Sequence, residues 1–241
     1  MKKKTLFYIL LVLMALALIG YIVSLIPGAK AADDYPQYTG AFGLRLKKPA
    51  YNAVIDPGHG GYDPGTLSLS GLNESDLNLD VSLKMNAFMR FLGLSPSMTR
   101  SEDISLRDPE SEPGEIKIAE LNNRLTLVHG VENPALISIH QNSWEGSETV
   151  NGFEVYWGAN GESEGFANTV FETLEAAPEF GRARKVKRGD YYILNNANCP
   201  SIIVECGFLT DPEDEARIIS PEYRMKLAIA LTKGYLEWNA L

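Results

Sequence analysis

Cysteine is scarce in this chain, because Cys199 and Cys206 are the only two among 241 residues. If Ser201–Glu205 forms a strand, the two thiols lie about 20 Å apart at ~3.3 Å per residue, whereas a disulfide needs Cα atoms within about 7 Å of each other. We therefore expect no disulfide between them. A domain that works outside the cell without disulfides has to rely on its hydrophobic core.

Basic residues are too few for a protein that binds nucleic acid. The chain has 22 lysines and arginines against 31 acidic residues, a net charge of −9. Residues 1–31 include four of the lysines, and without them the net charge is −13. Such a surface repels phosphate backbones. The cluster Arg182–Arg188 is the exception; we expect a solvated loop there, with binding of anionic substrate groups as the alternative.

Charged residues are absent from Leu6 to Ile26, a run that begins two residues after the last of three consecutive lysines. As a helix this run would reach roughly 32 Å, enough to span a bilayer. The lysines predict a cytoplasmic amino terminus and an extracytoplasmic remainder. Ala29-Lys30-Ala31 has the pattern of a signal-peptidase site, but the run is longer than the usual ~7–15-residue apolar core of a signal peptide. We therefore favour a membrane anchor over secretion after cleavage.

Three segments follow from this reading of the chain. Residues 1–27 form the signal-anchor or signal peptide, residues 28–50 a polar linker with little fixed structure, and residues 51–241 one folded domain. In that domain, apolar runs typical of strands alternate with amphipathic helical patterns. This alternation predicts an α/β fold, a mixed and largely parallel central sheet with helices on both faces, preceded by the N-terminal hydrophobic helix. Short strands are predicted at Leu94–Thr99 and Tyr191–Leu194, among others.

Three apolar runs, predicted to be buried strands, each end in a side chain that can do chemistry: His59, His140 and Glu205. Sites in open α/β sheets lie at the carboxyl ends of strands, so these three side chains could converge at one edge. Glycines on both sides of His59 allow the backbone to approach a ligand closely. His129, the remaining histidine, falls in the last turn of a helix, where an imidazole can meet free carbonyls.

Glu74 is a further candidate ligand. Asn73 fits the N-cap of a helix, which makes Glu74 the first helical residue. The helix dipole favours the ionised form of a carboxylate at that position. Position alone makes it an ordinary first-turn acid. Two histidines and a carboxylate can form a catalytic zinc site with an open position for water. A second carboxylate can then accept and return a proton, which is the chemistry of amide hydrolysis. On spacing alone, Asp56 or Asp63 could replace Glu74 as the third ligand.

Five motifs occur in order along the chain. They are Ile55-Asp56-Pro57-Gly58-His59-Gly60-Gly61, Asn73-Glu74, Met98-Thr99-Arg100, Ser138-Ile139-His140-Gln141-Asn142 and Val204-Glu205-Cys206-Gly207-Phe208-Leu209. From about Asn52 to Leu236 the chain resembles the zinc-dependent N-acetylmuramoyl-L-alanine amidases of bacterial cell walls, the amidase type 3 family. One departure is Cys206, where relatives often have a small or apolar residue; a thiol there could be oxidised or bind extra metal, but we expect it to be buried and inert.

The resemblance implies the roles of the site residues. It implies one Zn²⁺ per chain on His59, Glu74 and His140, with Glu205 as the catalytic base, and the choice of Glu74 over the aspartates rests on it. Asn142 is a candidate for substrate contact. Arg184 is another, because Arg184-Lys185 with Tyr192-Ile193-Leu194 is similar to the spore-cortex (germination-specific) type. Residues 51–241 would then be the amidase catalytic domain.

The resemblance also implies the reaction, hydrolysis of the amide between the lactyl group of N-acetylmuramic acid and L-alanine of the stem peptide, in cell-wall or spore-cortex remodelling. The expected partners are peptidoglycan, the membrane through residues 1–27, and an activator protein of unknown identity. Two alternatives stay open: a zinc peptidase acting on stem peptides, and a catalytically silent wall-binding or regulatory module. A phosphate-binding loop at Asp56–Gly61 is disfavoured, because the Lys-Ser/Thr of a P-loop is missing.

Overall fold

The computed structural model of the protein describes residues 37–39, 45–47, 49–107, 116–146 and 149–240. Across these ranges, no helix combines the length and the apolarity needed to cross a membrane. The hydrophobic helix predicted for residues 1–27 lies outside the described residues. Strands β1 (Gln37–Thr39) and β2 (Arg45–Lys47) pair antiparallel in the range where we expected a linker with little fixed structure.

Six further strands form the central sheet. They are β3 (Asn52–Pro57), β4 (Ser97–Met98), β5 (Pro134–Asn142), β6 (Phe153–Trp157), β7 (Ala183–Arg188) and β8 (Ser201–Phe208). Their order across the sheet is β4-β3-β5-β8-β6-β7. Strands β4, β3, β5 and β8 are parallel, and β6 is antiparallel to β8 but parallel to β7. The predicted mixed, largely parallel sheet is confirmed.

Helices cover both faces of this sheet. They are α1 (Glu74–Phe91), α2 (Ile116–His129), α3 (Ser163–Glu175), α4 (Tyr192–Asn196), α5 (Pro212–Ile218) and α6 (Pro221–Asn239). Successive strand residues point to opposite faces, so Ile137 and Val204 pack with α1, α3 and α6. Leu136 and Ile203 pack on the other face with α2 and α4. Burial on both faces explains why these strands read as continuous apolar runs.

Two predicted elements are wrong. The basic stretch Arg182–Arg188 was expected to be a loop, but it contains edge strand β7, which pairs with β6 through backbone bonds. An edge strand can carry charged side chains toward solvent, so its composition resembles that of a loop. Tyr191–Leu194 was expected to be a strand, but helix α4 begins at Tyr192. Four apolar residues are too few for periodicity to separate a strand from a helix.

Candidate metal centre

The strand ends singled out in the sequence meet at one edge of the sheet, because β3, β5 and β8 are parallel neighbours. Pro57, the last residue of β3, pairs with Ile139, so His59, two residues beyond β3, and His140, near the end of β5, lie at a similar level. His140 in turn pairs with Glu205 across β5 and β8. His59 has a φ of 59°, in the left-handed region that non-glycine residues rarely adopt. This turn brings the imidazole back toward the end of the sheet.

A possible metal site is formed by one atom from each of His59, Glu74 and His140, and these atoms lie within 4.8 Å of one another. Glu74 Oε1 is 3.2 Å from His59 Nε2 and 3.2 Å from His140 Nδ1. Tetrahedral zinc with ligands at about 2.0–2.2 Å places those ligand atoms about 3.3 Å from each other. The two measured spacings therefore fit zinc, and three protein ligands would leave a fourth position open.

Asp63 lies behind His59 and is not part of the cluster. His59 Nδ1 donates a hydrogen bond of 2.8 Å to Asp63 Oδ2, which leaves Nε2 facing Glu74. A carboxylate on the second nitrogen fixes the orientation of a ligand imidazole. Burial lowers the pKa of His59, but the hydrogen bonds to Asp63 and Glu74 outweigh it and raise the pKa to about 9. A metal ion would have to displace that proton.

Glu74 is buried and held on several sides. Its Oε2 accepts from Thr66 N at 3.0 Å, and its Oε1 accepts from Gln141 N at 3.1 Å and from Asn78 Nδ2 at 3.3 Å. Burial raises the pKa of Glu74, but hydrogen bonds to His140 and His59 outweigh it and hold the pKa well below its usual range. The carboxylate is thus ionised and fixed in place, as a ligand needs to be.

Asp56, the other alternative ligand considered from the sequence, points toward helix α2, where it contacts Arg124. Its Oδ1 accepts from Thr99 Oγ1 at 2.6 Å and from Arg124 NH1 at 2.5 Å, and its Oδ2 accepts from Ser138 Oγ at 2.7 Å. The carboxylate is buried, and these three partners occupy both of its oxygens. Asp56 is therefore a structural anion rather than a member of the cluster.

Glu205 lies beside the cluster and is partly exposed. In the sheet it faces His140 on one side and Glu154 of β6 on the other. Burial raises the pKa of Glu205 to about 7, and the negative charges of Glu74 and Glu154 add to this effect against the opposing pull of the histidines. A carboxyl group with a pKa near neutrality can both accept and release a proton.

Glu154 is a buried carboxylate that the sequence reasoning missed. Its Oε1 accepts from Arg184 Nε at 2.7 Å, and its Oε2 accepts from Tyr156 OH and, at 3.5 Å, from Asn142 Nδ2. Both predicted substrate-contact residues therefore bond to the protein itself at this edge of the site. A signal was present, because Glu154 is the one charged residue in the apolar stretch Gly152–Trp157.

The remaining histidine and the two cysteines are not members of the cluster. His129 Nε2 donates to the carbonyl oxygen of Ala197 at 3.0 Å. Cys199 and Cys206 are both buried and free, so the prediction that they do not pair is confirmed. Burial raises the pKa of Cys199 to about 11. Burial, together with the charge of Glu205, raises the pKa of Cys206 further, so neither thiol is activated.

Gly58 leaves the space in which the His140 ring sits, because a Cβ at that position would overlap the ring. Gly58→Ala should displace the imidazole and weaken metal binding by about 10–100-fold, as loss of ligand support does. The measurement is zinc competition against a chromophoric chelator. Gly161→Ala is the matched control, since a Cβ there meets nothing within 4 Å. Equal zinc affinities for the two variants would contradict this prediction.

The fold and the site together define a class of protein. A mixed α/β sheet with two imidazoles and a carboxylate at the ends of its parallel strands, and a further acid beside them, is an arrangement found in metal-dependent hydrolases. The sequence profile of the N-acetylmuramoyl-L-alanine amidases matches residues 53–237. The chain belongs to this family of peptidoglycan amidases.

Individual relatives agree with this assignment. The germination-specific N-acetylmuramoyl-L-alanine amidase of Bacillus subtilis is 31% identical over 192 residues, which cover 76% of this chain and 78% of that protein. Among solved structures, the CwlD amidase from Clostridioides difficile in complex with the GerS lipoprotein superposes with a TM-score of 0.73 at 27% identity, covering 79% of this chain and 98% of that one. The N-acetylmuramoyl-L-alanine amidase from Clostridium difficile 630 gives a TM-score of 0.68 at 30% identity, covering 79% and 97%.

Proposed function

We propose that this amidase is a zinc hydrolase that cleaves the amide between the lactyl group of N-acetylmuramic acid and L-alanine of the stem peptide. The observation that carries the proposal is the convergence of His59, Glu74 and His140 on one point, with Glu205 directly across from His140 in the sheet. The ligands would be the three clustered side chains, and Glu205 would be the catalytic base.

Each side chain has a distinct task in this reaction. Zinc, when bound, would polarise the scissile carbonyl and lower the pKa of the attacking water. Glu205, which lies directly across from His140 in the sheet, accepts a proton from that water and later delivers it to the leaving nitrogen of L-alanine. Asp63 keeps His59 Nε2 directed at the cluster. Glu74 stays ionised throughout, because backbone and side-chain donors hold its oxygens.

Substrate contact by Asn142 and Arg184 remains part of the proposal. Asn142 lies two residues beyond His140 at the end of β5, so a stem peptide at the metal would pass close to it. Arg184 is partly exposed, and its Nε and NH1 are already bonded to Glu154 Oε1 and the carbonyl of Asn151. Its remaining nitrogen is the group that we assign to an anionic part of the substrate, while the other two hold the guanidinium in place.

The setting that we propose is extracytoplasmic, with residues 1–27 as the membrane anchor or as a cleaved signal. Similarity to a germination-specific amidase favours action on the spore cortex over the vegetative wall. A similar amidase has been solved in complex with a lipoprotein, and this favours an activator or partner protein for the present chain. Both points rest on likeness to these relatives.

The proposal is tested by incubating the full-length protein with intact peptidoglycan, with and without a chelator, and identifying the products by mass spectrometry. We expect zinc-restorable release of stem peptides that begin with a free L-alanine amino group, and loss of at least 99% of this release when the metal is removed. Fragments cut within the peptide would indicate a peptidase instead. A folded, zinc-loaded protein that binds peptidoglycan but releases nothing, even with a partner protein, would favour the wall-binding module.

A further inference from the structure

Two buried arginines surround the loop that carries His59. Arg100 donates from Nε to the carbonyl oxygen of Pro57 at 3.1 Å and from NH2 to that of Gly58 at 2.9 Å. Arg124 donates from NH1 to the carbonyl oxygen of Pro57 at 2.8 Å and from NH2 to that of His59 at 2.6 Å. Three consecutive carbonyls of the ligand loop are therefore bound by guanidinium groups.

Arg124 is fixed in this position by two carboxylates. Its NH1 also donates to Asp56 Oδ1 at 2.5 Å, and its NH2 donates to Glu120 Oε1 at 3.0 Å. Asp56, Glu120 and Arg124 are all buried. A buried charge of this kind needs paired partners. In Arg124, NH1 and NH2 each bind one of the two carboxylates and also donate to a backbone carbonyl of the ligand loop.

The carbonyl bonds explain how a non-glycine residue holds the left-handed turn. His59 has a φ of 59°, and the next glycine, Gly60, also has a positive φ of 132°. Strained backbone of this sort persists where the surroundings over-determine it. Binding the carbonyl of Pro57 before the turn and that of His59 within it fixes both peptide planes, and the direction of the imidazole follows from them. An arginine suits this task because its planar fork presents several donors in fixed directions, which a lysine does not.

We propose that Arg124 is a positioning residue for the metal centre: from helix α2 it fixes the peptide planes around His59 and so aims the imidazole at Glu74 and His140. The proposal rests on the proposed zinc site and assigns the affinity of that site partly to a residue that touches neither the metal nor the substrate. Asp56 supports the same role, because its carboxylate binds Arg124 and does not join the metal cluster.

The experiment compares Arg124→Lys with Arg224→Lys in the full chain. Arg224 on α6 is the matched control, because it also pairs with a carboxylate, Asp80, and donates to a carbonyl, that of Ile218 at 2.8 Å, but it lies outside the ligand loop. The two variants are compared by two measurements. Zinc affinity is measured by competition with a chromophoric chelator, and thermal unfolding is measured on the metal-free proteins. We expect Arg124→Lys to lower zinc affinity about 10–100-fold, the usual cost of losing a group that orients a metal ligand, and Arg224→Lys to lower it less than about threefold. The zinc affinity of Arg124→Lys should be lower than that of Arg224→Lys even if both variants lose the same amount of thermal stability.

Equal zinc affinities for the two variants, with the wild-type protein binding zinc normally, would overturn the positioning role and leave the proposed function standing. A wild-type protein that binds no zinc would overturn both. If Arg124→Lys does not fold, Glu120→Gln decides, because it removes one carboxylate from Arg124 at the rim of the core and keeps the guanidinium. It should lower zinc affinity at least threefold with unchanged circular dichroism, and an unchanged affinity would count against the proposal.

Discussion

Glu205→Gln should reduce kcat by about two to four orders of magnitude, because general acid–base catalysis typically contributes that much. Glutamine keeps the shape of the side chain but can neither accept the proton of the attacking water nor return it to the leaving nitrogen. Glu205 is not part of the metal cluster, so zinc content and affinity should stay within about twofold of wild type. The measurements are kcat on a defined muropeptide and zinc content by elemental analysis.

The control for this variant is Glu222→Gln, at a carboxylate that is 79% exposed and pairs with Lys226 on α6. It should leave kcat unchanged. Loss of zinc from Glu205→Gln would mean that Glu205 is a ligand, and a kcat within tenfold of wild type would mean that another group is the base. Either outcome would contradict the role proposed for this residue.

His140→Ala should abolish zinc binding at micromolar zinc and reduce activity to below about 1% of wild type. Loss of a group that only orients a metal ligand costs about 10–100-fold in metal affinity, and removal of one of the three ligands themselves should cost more. The measurement is chelator competition together with product release from peptidoglycan. Excess zinc should not restore activity, because Glu74 and His59 alone offer two ligand atoms to the ion.

His129→Ala is the matched control for the loss of a histidine. His129 donates one hydrogen bond, to the carbonyl of Ala197, and lies outside the cluster. The variant should keep its zinc and its activity, and lose about 1 kcal/mol of the free energy of unfolding, the usual net worth of one hydrogen bond. If the two histidine variants lost zinc to the same extent, the assignment of His140 as a ligand would be wrong.

Sequence was sufficient to locate the edge of the sheet where the candidate site lies. Buried parallel strands are continuous apolar runs, so a histidine or an acid at the end of such a run is conspicuous, as His59, His140 and Glu205 are. The parallel pairing of β3, β5 and β8 then brings the three together. The fold class was predictable for the same reason, since alternation of strand and helix patterns allows few other architectures.

Spacing could not choose among the acids near His59. Glu74, Asp56 and Asp63 all lie within range along the chain, and only the three-dimensional contacts separate them. Asp56 turns to the interior because the strand alternates faces, and Asp63 meets the opposite nitrogen of His59. The sequence resemblance favoured Glu74, and the geometry of the cluster supports the same choice.

The supporting residues were missed because their decisive partners are distant in the sequence. Arg124 lies on α2 near the apolar residues Leu125 and Val128. A single charged residue in such a helix does not by itself indicate that its side chain is buried and paired. Nothing in the sequence pairs it with Asp56, 68 positions earlier. Glu154 likewise needs Arg184, 30 positions later, to make its burial tolerable. Such pairings become visible only once the sheet order is known.

Strand β7 has a consequence for how molecules of this protein meet one another. It lies at one edge of the sheet, where unpaired backbone groups could accept a strand from a second copy. Lys185, Lys187 and Arg188 of this strand are exposed, so a second β7 laid alongside would bring like charges together. The opposite edge, β4, has only two residues and offers little backbone to pair with. Charge at one edge and shortness at the other therefore both disfavour pairing of this sheet with that of a second copy.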